Sequence, residues 1–90
     1  MRLQFTRSAA RHGISRERVE YVVEHCLVPL EEPDLSGVPD GVLFLGFDWL
    51  GVALEVIAIR RPGGDLLVIH AMALRRGYRA SFEEVMGWRE

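Results

Sequence analysis

The fold of this chain is decided by residues 52–72, VALEVIAIRRPGGDLLVIHAM, in which two apolar runs flank a Pro-Gly-Gly-Asp turn. Each run is rich in Val, Ile and Leu, which suit a pleated, buried surface, and glycine tolerates the positive φ that tight hairpin turns require. The segment therefore predicts two antiparallel strands, over residues 52–60 and 66–72.

The length of the turn decides which side chains share a face of this hairpin. A two-residue Gly-Gly turn places His70 opposite Ile57 and brings Glu55 onto the face of His70, where its carboxylate can fix the tautomer of the imidazole. A three-residue turn places Val56 opposite His70 and sends Glu55 to the other face. The two-residue turn is the favoured interpretation, because Gly-Gly is a strong signal for it.

Two helices are predicted before the central strands. Thr6 caps a brief helix that runs to His12 and ends at Gly13. Ser15 caps a second helix, in which apolar residues recur at the spacing of one helical face. These residues are Val19, Val22, Val23 and Cys26.

The remaining elements complete an α+β fold. Residues 3–5 and 42–47 predict two further strands, residues 28–41 form mostly loop because they hold three prolines, and a capping box at residues 81–84 begins a terminal helix. We expect an antiparallel three- to four-stranded sheet with two N-terminal helices and one C-terminal helix, in a single domain over residues 1–90.

The composition is that of an ordinary folded domain. Of the 90 residues, 49% are hydrophobic and 27% charged, which excludes an intrinsically disordered chain. No apolar run approaches the roughly 20 residues that a membrane-spanning helix needs. The first residues lack the apolar region of a secretory signal. We therefore expect a cytoplasmic protein without a membrane partner.

The net charge of −2 conceals a segregated charge distribution. Residues 1–18 hold five arginines and one acid, residues 20–40 hold six acids and no Lys or Arg, and residues 60–79 hold five arginines and one acid. A fold that joins the first and third blocks creates a basic face beside an acidic loop. Every basic residue is Arg, which suits bidentate phosphate contacts, although a GC-rich genome produces the same bias.

An imidazole, several guanidinium groups and a phenol follow one another closely after residue 69. Cleavage of a phosphodiester without metal needs a base, an acid and cations that stabilise the developing charge. His70 can act as base or acid, with Tyr78 or His12 as the second proton handler. The candidate catalytic residues are His70, Tyr78, His12 and Glu55, and the candidate RNA-phosphate contacts are Arg75, Arg76, Arg79 and Arg11.

Each of these residues also has a purely structural interpretation. His70 can be a half-buried histidine that is hydrogen-bonded at a strand end, Tyr78 a packed ring, and the arginines a solvated cluster. His12 can simply favour the negative end of a helix. The three histidines and Cys26 show no recognisable metal-ligand spacing, so neither a metal nor another cofactor is predicted.

Two motifs carry a family resemblance. Residues 11–15, Arg-His-Gly-Ile-Ser, followed by Glu17 and an apolar helix, resemble the Lys/Arg-His-Gly-Val/Ile-Ser/Thr start of the BrnT toxins. The segment Ile-His-Ala-Met … Arg-Arg … Tyr, over residues 69–78, resembles that family's Ile-Ser-Ala-Arg … Arg-Arg … Tyr segment. With the acidic loop and the strand residues 43–46 and 54–56, the similarity covers roughly residues 4–80.

The resemblance implies a RelE/ParE-like fold and a metal-independent ribonuclease. Such a protein is the toxin of a type II toxin–antitoxin system, which acts on RNA, blocks translation and is neutralised by a cognate antitoxin. The chain departs from the pattern at His70, where the family commonly has Ser, and at Met72, where it has a basic residue. The resemblance supports roles for four residues at matching positions: His12, Arg75, Arg76 and Tyr78.

The competing interpretation is an interaction module without chemistry. Trp49 and Leu50 lie at a predicted turn, where apolar side chains are rarely needed for folding, and an antiparallel sheet can leave an exposed edge strand. Such a surface suits a homodimer or an adaptor. The expected partners are thus RNA and an antitoxin for the toxin, and a second copy or another chain for the module.

Overall fold

The computed structural model describes residues 2–26, 29–31, 40–80 and 82–83. Two 3-10 turns, Ser8–Ala10 and Arg76–Tyr78, follow the first and last strands. The predicted α+β class is confirmed. In chain order the elements are β1 (Leu3–Phe5), α1 (Arg16–His25), β2 (Leu30–Glu31), β3 (Gly41–Phe47), β4 (Ala53–Arg60) and β5 (Leu66–Ala73).

The strands form one mixed sheet in the order β1-β5-β4-β3-β2. β1 runs parallel to β5, with Leu3 opposite Leu66, and the other pairings are antiparallel. The prediction of a purely antiparallel sheet of three to four strands is therefore wrong in both respects. Parallel neighbours need a long crossover connection, which the chain between β1 and β5 supplies. The strand pattern of a sequence does not show which neighbour each strand takes.

The first predicted helix, over residues 6–12, is only the 3-10 turn Ser8–Ala10. Thr6 Oγ1 accepts a hydrogen bond from the Ala9 N–H (3.3 Å) and donates one to the Val68 carbonyl oxygen (3.3 Å). Thr6 is thus held against β5, and Gly13 turns the chain at a φ of 73°. Fewer than two helical turns fit between them, so the two predicted N-terminal helices are corrected to one.

Helix α1 confirms the second predicted helix. Its N-terminus is capped by Ser15, whose Oγ accepts a hydrogen bond from the Arg18 N–H (3.3 Å). The helix ends at His25, so the half-buried Cys26 lies just beyond it rather than in its last turn. The residues that α1 buries against the sheet are Val19, Val22 and Val23.

The predicted C-terminal helix falls largely outside the described residues. Residues 79–80 and 82–83 are helical, whereas residue 81 and residues 84–90 are not described. No helix in the described part of the chain is long and apolar enough to cross a membrane.

The turn of the β4–β5 hairpin holds three residues rather than the predicted two. The Arg61 N–H donates to the Asp65 carbonyl oxygen (2.8 Å), and these two residues close the loop. Gly63 and Gly64 have φ values of 90° and 92°, so two of the three loop positions use the freedom of glycine. Taken alone, this turn would place Val56 opposite His70.

A β-bulge in β5 restores the predicted register. Ala58 pairs with Val68 and Ile57 pairs with His70, so Ile69 is the extra residue in the ladder. The longer turn and the bulge cancel each other. His70 therefore lies opposite Ile57, as predicted, although by a route that the sequence did not indicate.

The sheet buries side chains on both of its faces. Strand residues alternate between the faces, and one face packs against α1. We call the opposite side the second face; Tyr78 and Phe82 pack onto it. The α1 face includes Val42, Phe44, Leu54, Val56 and Val68. The apolar core of the second face is Leu43, Leu45 and Ile57.

Candidate functional site

A buried carboxylate, Glu55 of β4, lies at the centre of a polar cluster. Glu55 has no solvent-exposed surface (0%). The Arg75 backbone N–H donates to Oε1 (2.7 Å) and Arg75 Nε donates to Oε2 (2.9 Å). Arg75 Nη2 forms an ion pair with the same Oε2 (2.8 Å). His70 Nε2 lies 2.8 Å from the same Oε2. We call Glu55, His70 and Arg75 the Glu55 cluster.

Strand pairing brings the three residues of the Glu55 cluster together. His70 pairs with Ile57, two residues from Glu55 on β4, so the two polar side chains are diagonal neighbours on the second face. One further hydrogen bond, from the Leu74 N–H to β4 (3.0 Å), extends the pairing beyond the end of β5. That bond carries the backbone of Arg75 to the carboxylate.

The Glu55 cluster pairs a fully buried carboxylate, that of Glu55, with the partly exposed guanidinium of Arg75. Burying an unpaired carboxylate is costly, and hydrogen bonds from a guanidinium offset that cost. The hydrogen bond with Glu55 raises the pKa of Arg75; burial lowers it, and coulombic interactions with Glu55 and Tyr78 raise it further. The Arg75 side chain is 52% exposed, so its cation reaches solvent while the carboxylate does not.

A second imidazole lies beside the Glu55 cluster. The rings of His12 and His70 have centroids 5.7 Å apart and are inclined at 72°. His12 is exposed, whereas the His70 side chain is 20% exposed. Two residues that are 58 positions apart in the chain are thus brought together, as the hypothesis of a two-histidine site requires.

Tyr78 completes the other side of the site. Its half-buried ring packs on the apolar core of the second face, and the Arg75 guanidinium carbon lies 5.7 Å from its centroid. Among the described residues, Arg75, Gly77 and Tyr78 line a surface depression of about 390 Å³. All four candidate catalytic residues and Arg75 therefore belong to one region, in which Arg75 both pairs with the buried Glu55 carboxylate and lines the depression.

The other three candidate arginines are not part of the Glu55 cluster. Arg76, Arg79 and Arg11 are all exposed, and within the described ranges none bonds to the cluster. Arg79 Nη1 lies 3.9 Å from Glu83 Oε1, an exposed pair that contributes little. The structure therefore does not join these three arginines to Arg75 in one clamp; they contribute exposed positive charge outside the Glu55 cluster.

A second buried carboxylate, Asp48, was not singled out from the sequence. Its Oδ1 accepts from the Leu50 and Val52 N–H groups (both 2.9 Å), and its Oδ2 accepts from Arg18 Nε (2.6 Å). Burial alone raises the pKa of Asp48, but the hydrogen bonds from Val52, Arg18 and Leu50 outweigh burial and lower it. An Asp at the start of a turn is the sequence signal for the two hydrogen bonds with the turn backbone. The bond with Arg18 ties the β3–β4 turn to α1.

The β3–β4 turn also carries an apolar surface. We call its four exposed side chains the turn patch. Trp49 packs edge-on against Tyr21 of α1, with centroids 5.9 Å apart, and still leaves half of its surface exposed. The turn patch consists of Phe47, Trp49, Leu50 and Val52, which are 43%, 51%, 63% and 37% exposed.

No group of three or more His, Cys, Asp or Glu residues in the described ranges is arranged to hold a metal ion. The Glu55 cluster, with one carboxylate and one imidazole, is built around a guanidinium instead. What the site can do chemically is to bind an anion and move protons.

Comparison of the chain with models of protein families, with curated proteins and with solved structures finds no match. The functional argument therefore rests on the motifs of the sequence and on the geometry of the described residues.

Proposed function

We propose that this chain is a metal-independent endoribonuclease, the toxin of a type II toxin–antitoxin system that acts on RNA and blocks translation. The observation that carries the proposal is the meeting of His70, His12 and Arg75 around a buried carboxylate, beside a depression lined by Tyr78. The resemblance to the BrnT toxins over roughly residues 4–80 supports the same function.

The two histidines suit the proton transfers of RNA cleavage. The 2′-hydroxyl attacks the neighbouring phosphorus, a base takes the hydroxyl proton, and an acid protonates the departing 5′ oxygen. A ring separation of 5.7 Å lets nitrogens of both His12 and His70 reach one phosphodiester. His70, backed by Glu55, is suited to the base, and the exposed His12 to the acid.

Arg75 is suited to stabilising the negative charge that develops on the phosphate. A guanidinium has five N–H donors; Nε of Arg75 donates to Glu55, and Nη2 forms an ion pair with it. The remaining donors belong to a side chain that is 52% exposed. The carboxylate thus orients Arg75 and leaves other N–H groups of the guanidinium for a phosphate. Exposed positive charge is added by Arg76, Arg79 and Arg11.

Tyr78 is suited to holding a nucleotide next to the scissile bond. Aromatic rings on the protein surface stack with RNA bases, and a phenol can also donate a hydrogen bond to phosphate. The ring lines the depression beside Arg75, so one nucleotide can contact both. The proposal includes a cognate antitoxin that covers this basic site.

Induced expression in a bacterial host tests this function. The wild-type chain should arrest growth and degrade cellular RNA, and Arg75→Ala should relieve both effects. The control is Arg61→Ala, a change of an exposed arginine in the hairpin turn, which should arrest growth like the wild type. Normal growth at high levels of folded wild-type protein would contradict the toxin proposal.

The second candidate function is a non-catalytic interaction module, as a homodimer or an adaptor. The turn patch favours it, since Trp49 and Leu50 at the turn itself are 51% and 63% exposed. In that case growth is normal and light scattering shows a dimer or a complex, which Leu50→Ser disrupts. A monomer with RNA-cleaving activity would count against the module.

A further inference from the structure

We propose that Glu55 is a positioning residue that fixes His70 as its Nε2–H tautomer, so that Nδ1 is the nitrogen that exchanges protons with substrate. The assignment of the tautomer rests on the geometry of the cluster alone. The part that concerns substrate rests on the proposed function. Glu55 was predicted to be catalytic, but its residue is completely buried (0%) and cannot touch an RNA chain.

The hydrogen bonds that the Glu55 carboxylate accepts determine which of its oxygens can carry a proton. Oε1 accepts the Arg75 backbone N–H, and Oε2 accepts Arg75 Nε and is also paired with Arg75 Nη2. Every one of these groups is a donor that a protein does not deprotonate. A proton on Oε2 would point against these Arg75 N–H groups, so Oε2, the oxygen nearest to His70, only accepts.

The orientation of His70 follows from that of the carboxylate. Because Oε2 only accepts, the ring nitrogen 2.8 Å away, Nε2, must donate to it. A neutral imidazole carries one proton, so Nδ1 then holds a lone pair. When the ring takes up a second proton it does so at Nδ1, and Nε2 keeps its hydrogen in both charge states.

The charged and titratable groups around the imidazole come from three parts of the fold. β4 contributes Glu55, the segment after β5 contributes Arg75 with Tyr78 beside it, and the turn after β1 contributes His12. Glu55 and Arg75 offset each other's charge. His12 is thus a titratable neighbour whose ring packs edge-on against that of His70. Glu55 occupies Nε2, so Nδ1 is the ring nitrogen that the carboxylate leaves for proton exchange.

Nitrogen NMR of the full chain, labelled with ¹⁵N-histidine, tests the tautomer directly. His70→Gln assigns the two ring signals by removing them. At a pH where the ring is neutral, Nε2 should resonate as a protonated nitrogen and Nδ1 as an unprotonated one. The opposite pattern in the wild type would overturn the proposal, whether or not the protein cleaves RNA.

The variant Glu55→Gln tests the positioning role. The amide keeps the size of the side chain but presents one donor group, so the His70 signals should shift toward a mixture of both tautomers. Glu24→Gln is the matched control, since Glu24 is exposed on α1, and it should leave the signals unchanged. Wild-type His70 signals in a folded Glu55→Gln protein would overturn the positioning role.

The effect on RNA cleavage separates the two proposals. If His70 acts through Nδ1, Glu55→Gln should slow cleavage by about 10²-fold or more, which is the size of a lost proton-transfer contribution. Glu55→Asp keeps the negative charge and should restore part of the rate. Absence of cleavage by the wild type would overturn the proposed function and leave the tautomer standing, whereas full activity of folded Glu55→Gln would overturn the role of Glu55 alone.

Discussion

Arg75→Ala should destabilise the protein far more than the loss of an ordinary surface arginine. The variant keeps the backbone N–H on Glu55 Oε1 but removes the Nε hydrogen bond and the Nη2 ion pair on Oε2. Removing one partner of a sealed ion pair costs about 3–5 kcal/mol. Because half of the Arg75 side chain is exposed (52%), water enters the vacated space and replaces part of the loss. We therefore expect a cost of about 2 kcal/mol, close to one hydrogen bond to a charged group.

Urea denaturation at neutral pH measures this cost. With a slope of about 1–3 kcal/mol per M for a small domain, the midpoint of unfolding should fall by roughly 1 M. Arg61→Ala is the control, since that exposed arginine lies outside the cluster, and it should stay within about 0.5 kcal/mol of the wild type.

A double-mutant cycle then tells whether the cost comes from the buried charge. In a Glu55→Gln background the neutral amide needs the guanidinium less, so Arg75→Ala should cost clearly less than in the wild type. Equal costs in both backgrounds, or a loss below about 0.5 kcal/mol in the wild type, would refute the account of a carboxylate held by Arg75.

Two further predictions concern the turns of the sheet. Asp48→Asn should cost about 1–3 kcal/mol at neutral pH, because a buried acceptor of three hydrogen bonds loses its charge. The pKa of Asp48 is lower in the folded protein, so its contribution to stability is complete above about pH 4 and is lost as the pH falls further. The stability of the variant should therefore depend less on pH in acid than that of the wild type. An unchanged dependence of stability on pH would contradict this. Gly64→Ala should destabilise, because residue 64 has a φ of 92°, whereas Gly46→Ala should be tolerated, since its added Cβ would meet Val22 Cγ1 at an ordinary 3.6 Å; equal thermal midpoints for the two variants would show that the backbone argument is wrong.

The sequence predicts correctly that Glu55 and His70 are neighbours, but only because two departures from the predicted hairpin cancel. The turn has one residue more than predicted, and β5 contains a bulge. The Gly-Gly signal does not distinguish a two-residue turn from a three-residue turn that uses the same glycines. The bulge at Ile69 depends on packing, because it lets both Ile69 and His70 lie toward the second face, where Ile69 joins the apolar core. The order of polar and apolar residues within one strand does not show that an apolar core exists on the second face of the sheet.

The role of Arg75 illustrates the limit of reasoning from residue type. An arginine after a strand that holds a histidine suggests a phosphate contact, and its exposed portion still fits that role. Its engagement by Glu55 depends on where β5 ends relative to the start of β4, which the sequence does not reveal. The clustering of His12 with His70 likewise depends on the parallel pairing of β1 with β5, and strand patterns alone do not predict that pairing.

The rate at which purified protein cleaves single-stranded RNA in the presence of a metal chelator tests the central claim most directly. The wild type should cleave, and His70→Ala should be slower by about 10²–10⁴-fold, as expected for the loss of a proton-transfer group. The matched control is His25→Ala on α1, a histidine that stacks on Tyr21 rather than on the Glu55 cluster, and it should retain the wild-type rate. Equal rates for the folded His70→Ala protein and the wild type would contradict the account.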